Sequence, residues 1–318
     1  MKSIRDILNW STEYLEGCHI NDAHLDSEIL LTYILNKNRT FLYINSDRTI
    51  LSEEFKRFKE YVERRGRREP LSYITGEKEF WSLKFKVTRD ALIPRPDTEV
   101  LVQTVLEMIR SKMTHTQDGC PNVRSQKLKI LNLKSEIVNP INILDIGTGC
   151  GNIAISIAVE CPESYIFALD KSDAVLSVAR ENAITHNVAE RISFIQGDLL
   201  DLESKNSGSQ ITNIKLYDII VSNPPYIPSD DIGGLMPEVK DWEPRSAIDG
   251  GKDGLEIIRN IVKYAPLALK SGGFIAMEIG FGMAKDVRSI LLEKANFYDI
   301  RFERDLSGVE RVVVAWKK

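Results

Sequence analysis

The segment Ile219-Ile220-Val221-Ser222-Asn223-Pro224-Pro225-Tyr226 decides which fold the rest of the chain can adopt. Its apolar first half is typical of a buried parallel strand. The two prolines end that strand, because proline has a fixed φ and no N–H to donate. Ligands of open α/β sheets bind beyond the carboxyl ends of the strands. The segment therefore predicts an α/β fold with a functional site at 223–226, although an ordinary Asn-Pro-Pro turn is the alternative.

The polar groups of this segment suit a planar –NH2 group. The Asn223 side-chain oxygen and the Pro224 carbonyl are two acceptors for its two hydrogens, and Tyr226 supplies an aromatic face. Pro225 stiffens the loop between them. We predict catalytic roles for Asn223, Pro224 and Tyr226, and substrate contact along all four residues.

Composition limits the class of protein. The chain has 318 residues, 43% of them hydrophobic and 28% charged, which favours about two soluble domains. A net charge of −4 argues against a protein that coats nucleic acid. We expect neither a membrane span nor a signal peptide. The four cysteines lack zinc spacing, so we expect reduced thiols, no metal site and a cytoplasmic location.

Residues 1–73 carry helical periodicity throughout, which predicts a domain of four or five helices for partner recognition. Residues 74–94 predict a hairpin linker, because apolar residues and lysines alternate there. The predicted catalytic domain spans 95–318. It is interrupted at about 111–139 by a polar stretch without a sustained period, which we interpret as a surface insertion.

Two arginine features precede the catalytic domain. Arg64–Arg68 is either a solvated helix end with favourable charge or a contact for RNA or an acidic partner. Arg95 lies between two prolines, and an arginine held so rigidly favours a substrate-binding role over a solvated charge.

Further polar groups follow the other predicted strands. The strand 141–146 leads into the glycine-rich turn Asp145-Ile146-Gly147-Thr148-Gly149. Glycine there allows a tight turn and a close approach to a ligand. The next strand ends at Asp170, where a carboxylate can accept ribose hydroxyls. A third ends near Asp198 and Leu199, which suit the edge and face of an adenine.

These strand ends together predict one cofactor pocket. The turn has no phosphate-binding lysine, and Asp145 suits a cationic amino acid end better than a pyrophosphate. S-adenosylmethionine carries a ribose, an adenine, an ammonium and a sulfonium, which matches the set. Strand 274–279 and a C-terminal hairpin of 297–304 and 311–315 complete the predicted sheet.

The chain resembles the PrmC/HemK family of protein-(glutamine-N5) methyltransferases, which modify peptide chain release factors. The resemblance rests on the motifs Gly76–Leu83, Ile93–Glu99, Asp145–Gly149, Asn223–Tyr226, Glu243–Arg245, Asp249–Gly251 and Asp305–Arg311. The Asn-Pro-Pro-Tyr motif is shared with DNA adenine methyltransferases, whereas Pro-Arg-Pro-Asp-Thr-Glu is far more specific. Cys150 departs from the small residue expected at its position.

The resemblance implies a Rossmann-like, seven-stranded class I S-adenosylmethionine-dependent methyltransferase domain after a small helical domain. Its cofactor contacts carry over to Asp145, Ile146, Gly147, Thr148, Gly149, Asp170, Leu199 and Asn223. It also implies that the partner is a release factor, modified at the glutamine of a Gly-Gly-Gln loop. Separately, we expect a monomer.

Two other functions use the same pocket. One is an adenine amino-methyltransferase acting on DNA or RNA, which would need a basic groove that a −4 chain hardly offers. The other is a non-catalytic binding protein, against which the intact glycines, Asp170 and Asn223 argue. No general base is evident near the motifs, so we expect alignment to supply the catalysis.

Overall fold

The structure is a computed structural model that describes residues 2–115, 140–198, 216–293 and 296–318. Its contacts divide the chain into two units. The first unit comprises Met1–Lys78, Val87–Ile93 and Gly233–Arg245, and the second comprises Glu79–Lys86, Pro94–Ile232 and Ser246–Lys318. The boundaries 1–73, 74–94 and 95–318 stay a prediction, because these units are discontinuous in sequence.

The N-terminal part of the chain contains only helices, whereas helices and strands alternate in the second unit. The helices are α1 (Ile4–Gly17), α2 (Ala23–Leu35), α3 (Arg39–Ile44), α4 (Ser52–Gly66), α5 (Leu71–Thr75), α6 (Glu99–His115), α7 (Asn152–Glu160), α8 (Asp173–Thr185), α9 (Pro237–Lys240), α10 (Glu256–Ala268) and α11 (Ala284–Glu293). The strands are β1 (Glu77–Phe80), β2 (Leu83–Lys86), β3 (Ile141–Ile146), β4 (Ser164–Asp170), β5 (Ile192–Gln196), β6 (Tyr217–Ser222), β7 (Leu269–Glu278), β8 (Phe297–Arg304) and β9 (Glu310–Lys317).

The first unit confirms the predicted N-terminal helices. Five helices, α1 to α5, bury one apolar core that includes Ile7, Leu30 and Phe58. Ser3 begins α1 with a capping box, because its hydroxyl accepts from the Asp6 N–H and the Asp6 carboxylate accepts from the Ser3 N–H. The helical period places the apolar side chains on the inner faces, and burial of those faces stabilises short helices that would be marginal alone.

The arginine cluster at the end of α4 forms ion pairs within the first unit, which the sequence did not predict. Arg65 is buried and contacts Asp26 over 2.6 Å and Glu238 over 3.0 Å. Arg68 also contacts Glu238, over 2.7 Å. Arg64 donates two hydrogen bonds to Glu69. Glu238 follows the Asn-Pro-Pro-Tyr motif in sequence, so these pairs tie that later segment to the helical unit.

The second unit contains a seven-stranded sheet of order β5-β4-β3-β6-β7-β9-β8. The strands β3 to β7 pair in parallel, and β9 pairs antiparallel with both β7 and β8. This order confirms the predicted Rossmann-like α/β class. The predicted C-terminal hairpin is present. Its second strand, β9, lies between β7 and its first strand, β8, which forms the edge of the sheet.

The sequence Ser271-Gly272-Gly273 is typical of a turn before the strand predicted at 274–279, and that expectation is wrong. Ser271–Gly273 lies inside β7, where the pairing with β6 shifts register between Tyr217 and Ile219. Gly272 has φ +72°, which a bulge accommodates and a regular strand does not. The glycine pair therefore marks an irregularity inside a longer strand.

Both faces of the sheet are buried, which explains the continuous apolar runs of its strands. Ile143 and Ile219 face a core with helices α6, α7 and α8, while their neighbours Leu144 and Ile220 face a core with α10 and α11. Successive side chains of a strand point to opposite faces, so a strand covered on both sides is apolar at nearly every position.

The predicted hairpin is a two-stranded sheet of β1 and β2. Its loop residues Trp81 and Ser82 both have positive φ, 52° and 56°, as a primed two-residue turn requires. Glu99 stabilises this turn by accepting the Trp81 N–H over 2.7 Å.

Helix α6 continues to His115, so 111–115 of the stretch 111–139 are helical, and the surface insertion stays a prediction. Residues 116–139 lie outside the described residues, as do Leu199 and Cys120. The cysteines Cys18, Cys150 and Cys161 are free thiols. None of the helices in the described ranges is long and apolar enough to cross a membrane.

Candidate active site

The strand order places a topological switch point between β3 and β6. From β3 the chain extends the sheet through β4 and β5 on one side, and later through β6 and β7 on the other. Ile146 pairs with Ser222, and the Ser222 hydroxyl donates to the Ile146 carbonyl over 2.8 Å. The glycine-rich turn and Asn223 therefore begin side by side, in the crevice where open α/β sheets bind ligands.

The glycine-rich turn is held against the end of β4. Asp170 accepts the Gly149 N–H over 3.0 Å with one carboxylate oxygen and the Ser172 N–H over 3.0 Å with the other. Gly147 and Gly149 have φ of +72° and +57°, and a Cβ on either would enter open space. That space, beside a backbone that only glycine adopts readily, is what a close-lying ligand requires.

Asp145 is the buried charge beneath this turn. Its side chain is fully buried, and Oδ2 accepts from the Thr148 hydroxyl over 2.7 Å. Oδ1 is buried and meets no well-aligned hydrogen-bond donor among the described residues, and the Ala154 N–H favours the charged carboxylate only weakly. Burial raises the pKa of Asp145 to about 7, since the charged form loses its hydration. An unpaired carboxylate oxygen of this kind favours a cationic ligand group.

The polar groups around the turn act as one set, which we call the glycine corner. It comprises Asp145, Gly147, Gly149 and Asp170. The open space, the unpartnered carboxylate oxygen and the strand-end Asp170 fit a ligand that carries a cationic end and a polar ring system.

Asp198 lies one strand further along the same edge. Its carboxylate pairs with the Lys171 ammonium over 2.8 Å. β4 and β5 are paired through Asp170 and Gln196, which brings the two acidic residues to neighbouring strand ends. Contact of Asp198 with an adenine stays a prediction.

Asn223 is the first member of a hydrogen-bond chain on the other side of the switch point. Its Nδ2 donates to Thr98 Oγ1 over 3.0 Å. Thr98 Oγ1 donates to Glu278 Oε2 over 2.6 Å, and Tyr226 Oη donates to Glu278 Oε1 over 3.2 Å. Asn223 Oδ1 accepts no hydrogen bond from the described residues. We call Thr98, Asn223, Tyr226 and Glu278 the amide corner.

Glu278 is the charge at the centre of the amide corner. It is 1% exposed, and burial raises its pKa. Burial likewise raises the pKa of Tyr226, so the phenol keeps its proton and remains a donor. Both oxygens of the Glu278 carboxylate accept hydrogen bonds, which offset part of the free-energy cost of burying the charged group.

Three glycines fix the position of Tyr226. A Cβ on Gly250 would lie 2.8 Å from Tyr226 Cα, and one on Gly254 would lie 2.3 Å from the Tyr226 carbonyl oxygen. A Cβ on Gly280 would lie 3.0 Å from the Tyr226 ring. Ile227 also exchanges backbone hydrogen bonds with Ile248 and Gly250. The loop that contains Asp249–Gly254 therefore packs against the Asn-Pro-Pro-Tyr segment as a structural support.

Two family models match the chain. A PrmC N-terminal domain covers residues 6–76, and a methyltransferase domain covers residues 137–280. The release factor glutamine methyltransferase of Geobacter sulfurreducens is 36% identical over 98% of this chain and 95% of its own length. The chain belongs to the release factor glutamine methyltransferase family. The Clostridium botulinum member is 34% identical over 99% of both chains.

A solved structure supports the fold of this family member. The hMettl16 catalytic domain, solved in complex with the MAT2A 3'UTR hairpin 6, is 16% identical, with a TM-score of 0.51. The match covers 90% of this chain and 92% of that one. At this identity the likeness concerns the fold alone.

The structure adds Glu278 and Thr98 to the residues that the sequence singled out in this family member. Glu278 looks like the end of an ordinary strand, and Thr98 looks like a helix cap within the Pro-Arg-Pro-Asp-Thr-Glu motif. The detectable signal was an acidic residue ending an otherwise apolar strand. Arg95 precedes the 3-10 turn Pro96–Thr98 that delivers Thr98, and its contact with a substrate stays a prediction.

Proposed function

We propose that the protein transfers a methyl group from S-adenosylmethionine to the side-chain amide nitrogen of a glutamine in peptide chain release factors. The glutamine is the one in the Gly-Gly-Gln motif. The proposal rests on Asn223 Oδ1, an acceptor with no hydrogen-bond donor among the described residues, which lies beside the glycine corner at the switch point. The family relationship over nearly the whole chain supports the substrate class.

The glycine corner would hold the cofactor. The Asp145 carboxylate suits the ammonium of the cofactor's amino acid end, and Asp170 suits its ribose hydroxyls. Gly147 and Gly149 leave room for it against the backbone. The cofactor supplies a methyl group on a sulfonium, which is already a strong electrophile.

The amide corner would hold the glutamine. Its amide nitrogen is a poor nucleophile, because its lone pair is delocalised into the carbonyl. The Asn223 Oδ1 and Pro224 carbonyl oxygens would each accept one amide hydrogen and so direct the nitrogen lone pair toward the methyl group. They also stabilise the positive charge that grows on nitrogen. The Tyr226 ring would pack against the amide plane.

Alignment can supply most of the catalysis, on the order of 7 kcal/mol or more of the barrier. A proton must leave the substrate nitrogen after transfer, and water is its proposed acceptor. Glu278 is not proposed as the base, because both of its oxygens already accept hydrogen bonds.

The protein is proposed to act as a monomer in the cytoplasm, where release factors work. Its helical unit would dock the release factor while the glutamine enters the amide corner.

Mass spectrometry tests the proposal directly. The protein is incubated with S-adenosylmethionine and a release factor, and the factor is digested and mapped. We expect one added methyl on the Gly-Gly-Gln glutamine. The matched control is the same factor with that glutamine replaced by alanine, which should gain nothing. Methylation elsewhere, or of nucleic acid instead, would contradict the proposed substrate.

A further inference from the structure

We infer that Thr98 and Glu278 are positioning residues that set which way the side-chain amide of Asn223 points. The inference rests on the proposed function, in which Asn223 Oδ1 faces the substrate, and deepens it. The chain Asn223–Thr98–Glu278 supplies the geometry.

Counting hydrogens fixes the orientation. Glu278 faces two hydroxyl donors, Thr98 and Tyr226, and a carboxylate that receives one hydrogen bond on each oxygen acts only as an acceptor. A threonine hydroxyl has a single hydrogen, which Thr98 directs to Glu278 over 2.6 Å. Thr98 can then only accept from Asn223, so the –NH2 end of that amide must face it. The carbonyl end is left for the substrate.

The alternative orientation of the Asn223 amide would prevent the site from binding a glutamine amide. If the amide rotated by half a turn, its –NH2 group would face the –NH2 group of a glutamine, and two donors would meet. Asn223 Oδ1 would instead face an oxygen of Thr98 that has no hydrogen left to donate. Glu278 thus selects one of the two amide orientations through Thr98, without a hydrogen bond of its own to the Asn223 side chain.

The burial of Glu278 supports a functional role. It is 1% exposed, lies between the buried residues Met277 and Ile279, and has no ion-pair partner within 4 Å among the described residues. A carboxylate in such surroundings destabilises a fold relative to an apolar side chain. The residue types that would pack better there could not orient Thr98.

The parts of this chain come from distant segments. Thr98 lies 125 residues before Asn223 and 180 residues before Glu278. The 3-10 turn with Pro96 at its start holds Thr98 at the beginning of α6, and β7 holds Glu278 at its carboxyl end. Rigid elements therefore carry both residues, as accurate positioning requires.

The first test measures solvent exchange of the Asn223 side-chain amide protons. In 15N-labelled full-length protein, the Asn223 side-chain resonances are assigned by their loss in Asn223→Ala. We expect one of the two amide protons to be protected from solvent exchange in the parent. In Thr98→Val we expect that proton to exchange at least about tenfold faster. Thr104→Val is the matched control. Its buried hydroxyl donates to the Val100 carbonyl over 2.8 Å and belongs to neither corner.

This first test is independent of the substrate. If Thr98→Val leaves the Asn223 amide protons unchanged, the inference is overturned, whether or not a release factor is methylated. If the parent fails to methylate a release factor while the protection pattern is as expected, the proposed function fails and the orientation stands.

The second test reads the rate. We expect Thr98→Val to lower kcat about 10- to 100-fold, with the cofactor Kd and the release factor KM within about threefold of the parent. Thr98→Ser, which keeps the hydroxyl, should stay within about threefold. In an Asn223→Ala background, Thr98→Val should cause no further loss. An equal loss in both backgrounds, or no loss in either, would show that Thr98 does not act through Asn223.

Discussion

The glycine corner and the amide corner satisfy their buried carboxylates in opposite ways. Among the described residues, one oxygen of Asp145 has no well-aligned hydrogen-bond donor, whereas both oxygens of Glu278 accept hydrogen bonds. The first arrangement leaves a charge for a ligand to complete, and the second completes itself before any ligand arrives. We therefore expect cofactor binding to depend on charge and pH, and substrate alignment to depend on single hydrogen-bonding groups.

Removing the acceptor of the amide corner should have the largest effect. We expect Asn223→Ala to lower kcat about 100- to 1000-fold, because one of the two proposed acceptors for the substrate amide is lost at the reacting centre. Initial rates of release factor methylation measure this loss, with cofactor binding followed by calorimetry. A variant that binds the cofactor and methylates at the parent rate would remove Asn223 from the mechanism.

Filling the glycine corner should weaken cofactor binding and leave the substrate alone. We expect Gly147→Ala to raise the S-adenosylmethionine Kd at least about tenfold, because its Cβ enters the open space at φ +72°. Gly308→Ala is the matched control. Gly308 has φ +81° and open space around it, and it lies in the turn before β9. Equal effects of the two substitutions on Kd would mean that backbone strain alone explains the loss.

The pH dependence sharpens the contrast between the two carboxylates. The pKa of Asp145 is raised to about 7, so its charged form must be regained when a cationic group binds. We expect the cofactor Kd to rise up to about tenfold for each pH unit below 7. Calorimetry between pH 5 and 8 measures this slope. Asp145→Asn should abolish it, and a parent Kd that is flat over the range would contradict the expectation.

Asp145 also makes the stability of the cofactor-free protein depend on pH. The folded pKa of Asp145 lies above its usual value of 3.8, so folding favours the protonated acid. Stability is therefore highest below about pH 4 for this group and is lost as the pH rises toward 7. At pH 8 we expect Asp145→Asn to unfold at a higher temperature than the parent. A lower unfolding temperature would show that the charged form is stabilised.

Removing one donor to Glu278 should have the smallest effect. Tyr226→Phe keeps the ring and loses the hydrogen bond of 3.2 Å, while Thr98 still donates to the carboxylate. We expect kcat to fall about two- to tenfold, with the cofactor Kd unchanged. Tyr217→Phe, at the amino end of β6, is the control and should leave kcat unchanged. A loss as large as that of Asn223→Ala would place the phenol in direct contact with the reaction.

Much of the fold was predictable because its signals are local. Apolar runs with both faces buried marked β3, β4, β5 and β6, and helical periodicity marked α1 to α5. The Ser271–Gly273 segment of β7 is the exception, because its local signal is ambiguous. A Ser-Gly-Gly sequence is equally typical of a turn and of a bulge, and only pairing with β6 decided between them.

The parts of the candidate site that are contiguous in sequence were predictable. The parts that combine residues from distant segments were not. Asp145–Gly149 and Asn223–Tyr226 are short motifs that each follow a strand, so their chemistry can be interpreted residue by residue. Glu278 gained its role only from Thr98, which lies 180 residues away. Likewise, the ion pairs of Arg65 and Arg68 with Glu238 depended on a segment far along the chain.

The sequence by itself determined the class of fold, the family and the residue types at the strand ends. It could do so because strand burial, proline and glycine act through the local backbone. Only the tertiary structure decided how the amide of Asn223 is turned, which carboxylate is left for a ligand and where the arginine cluster is used. Those outcomes depend on single hydrogens and unpaired oxygens between distant residues, and three-dimensional packing alone brings such groups within hydrogen-bond distance.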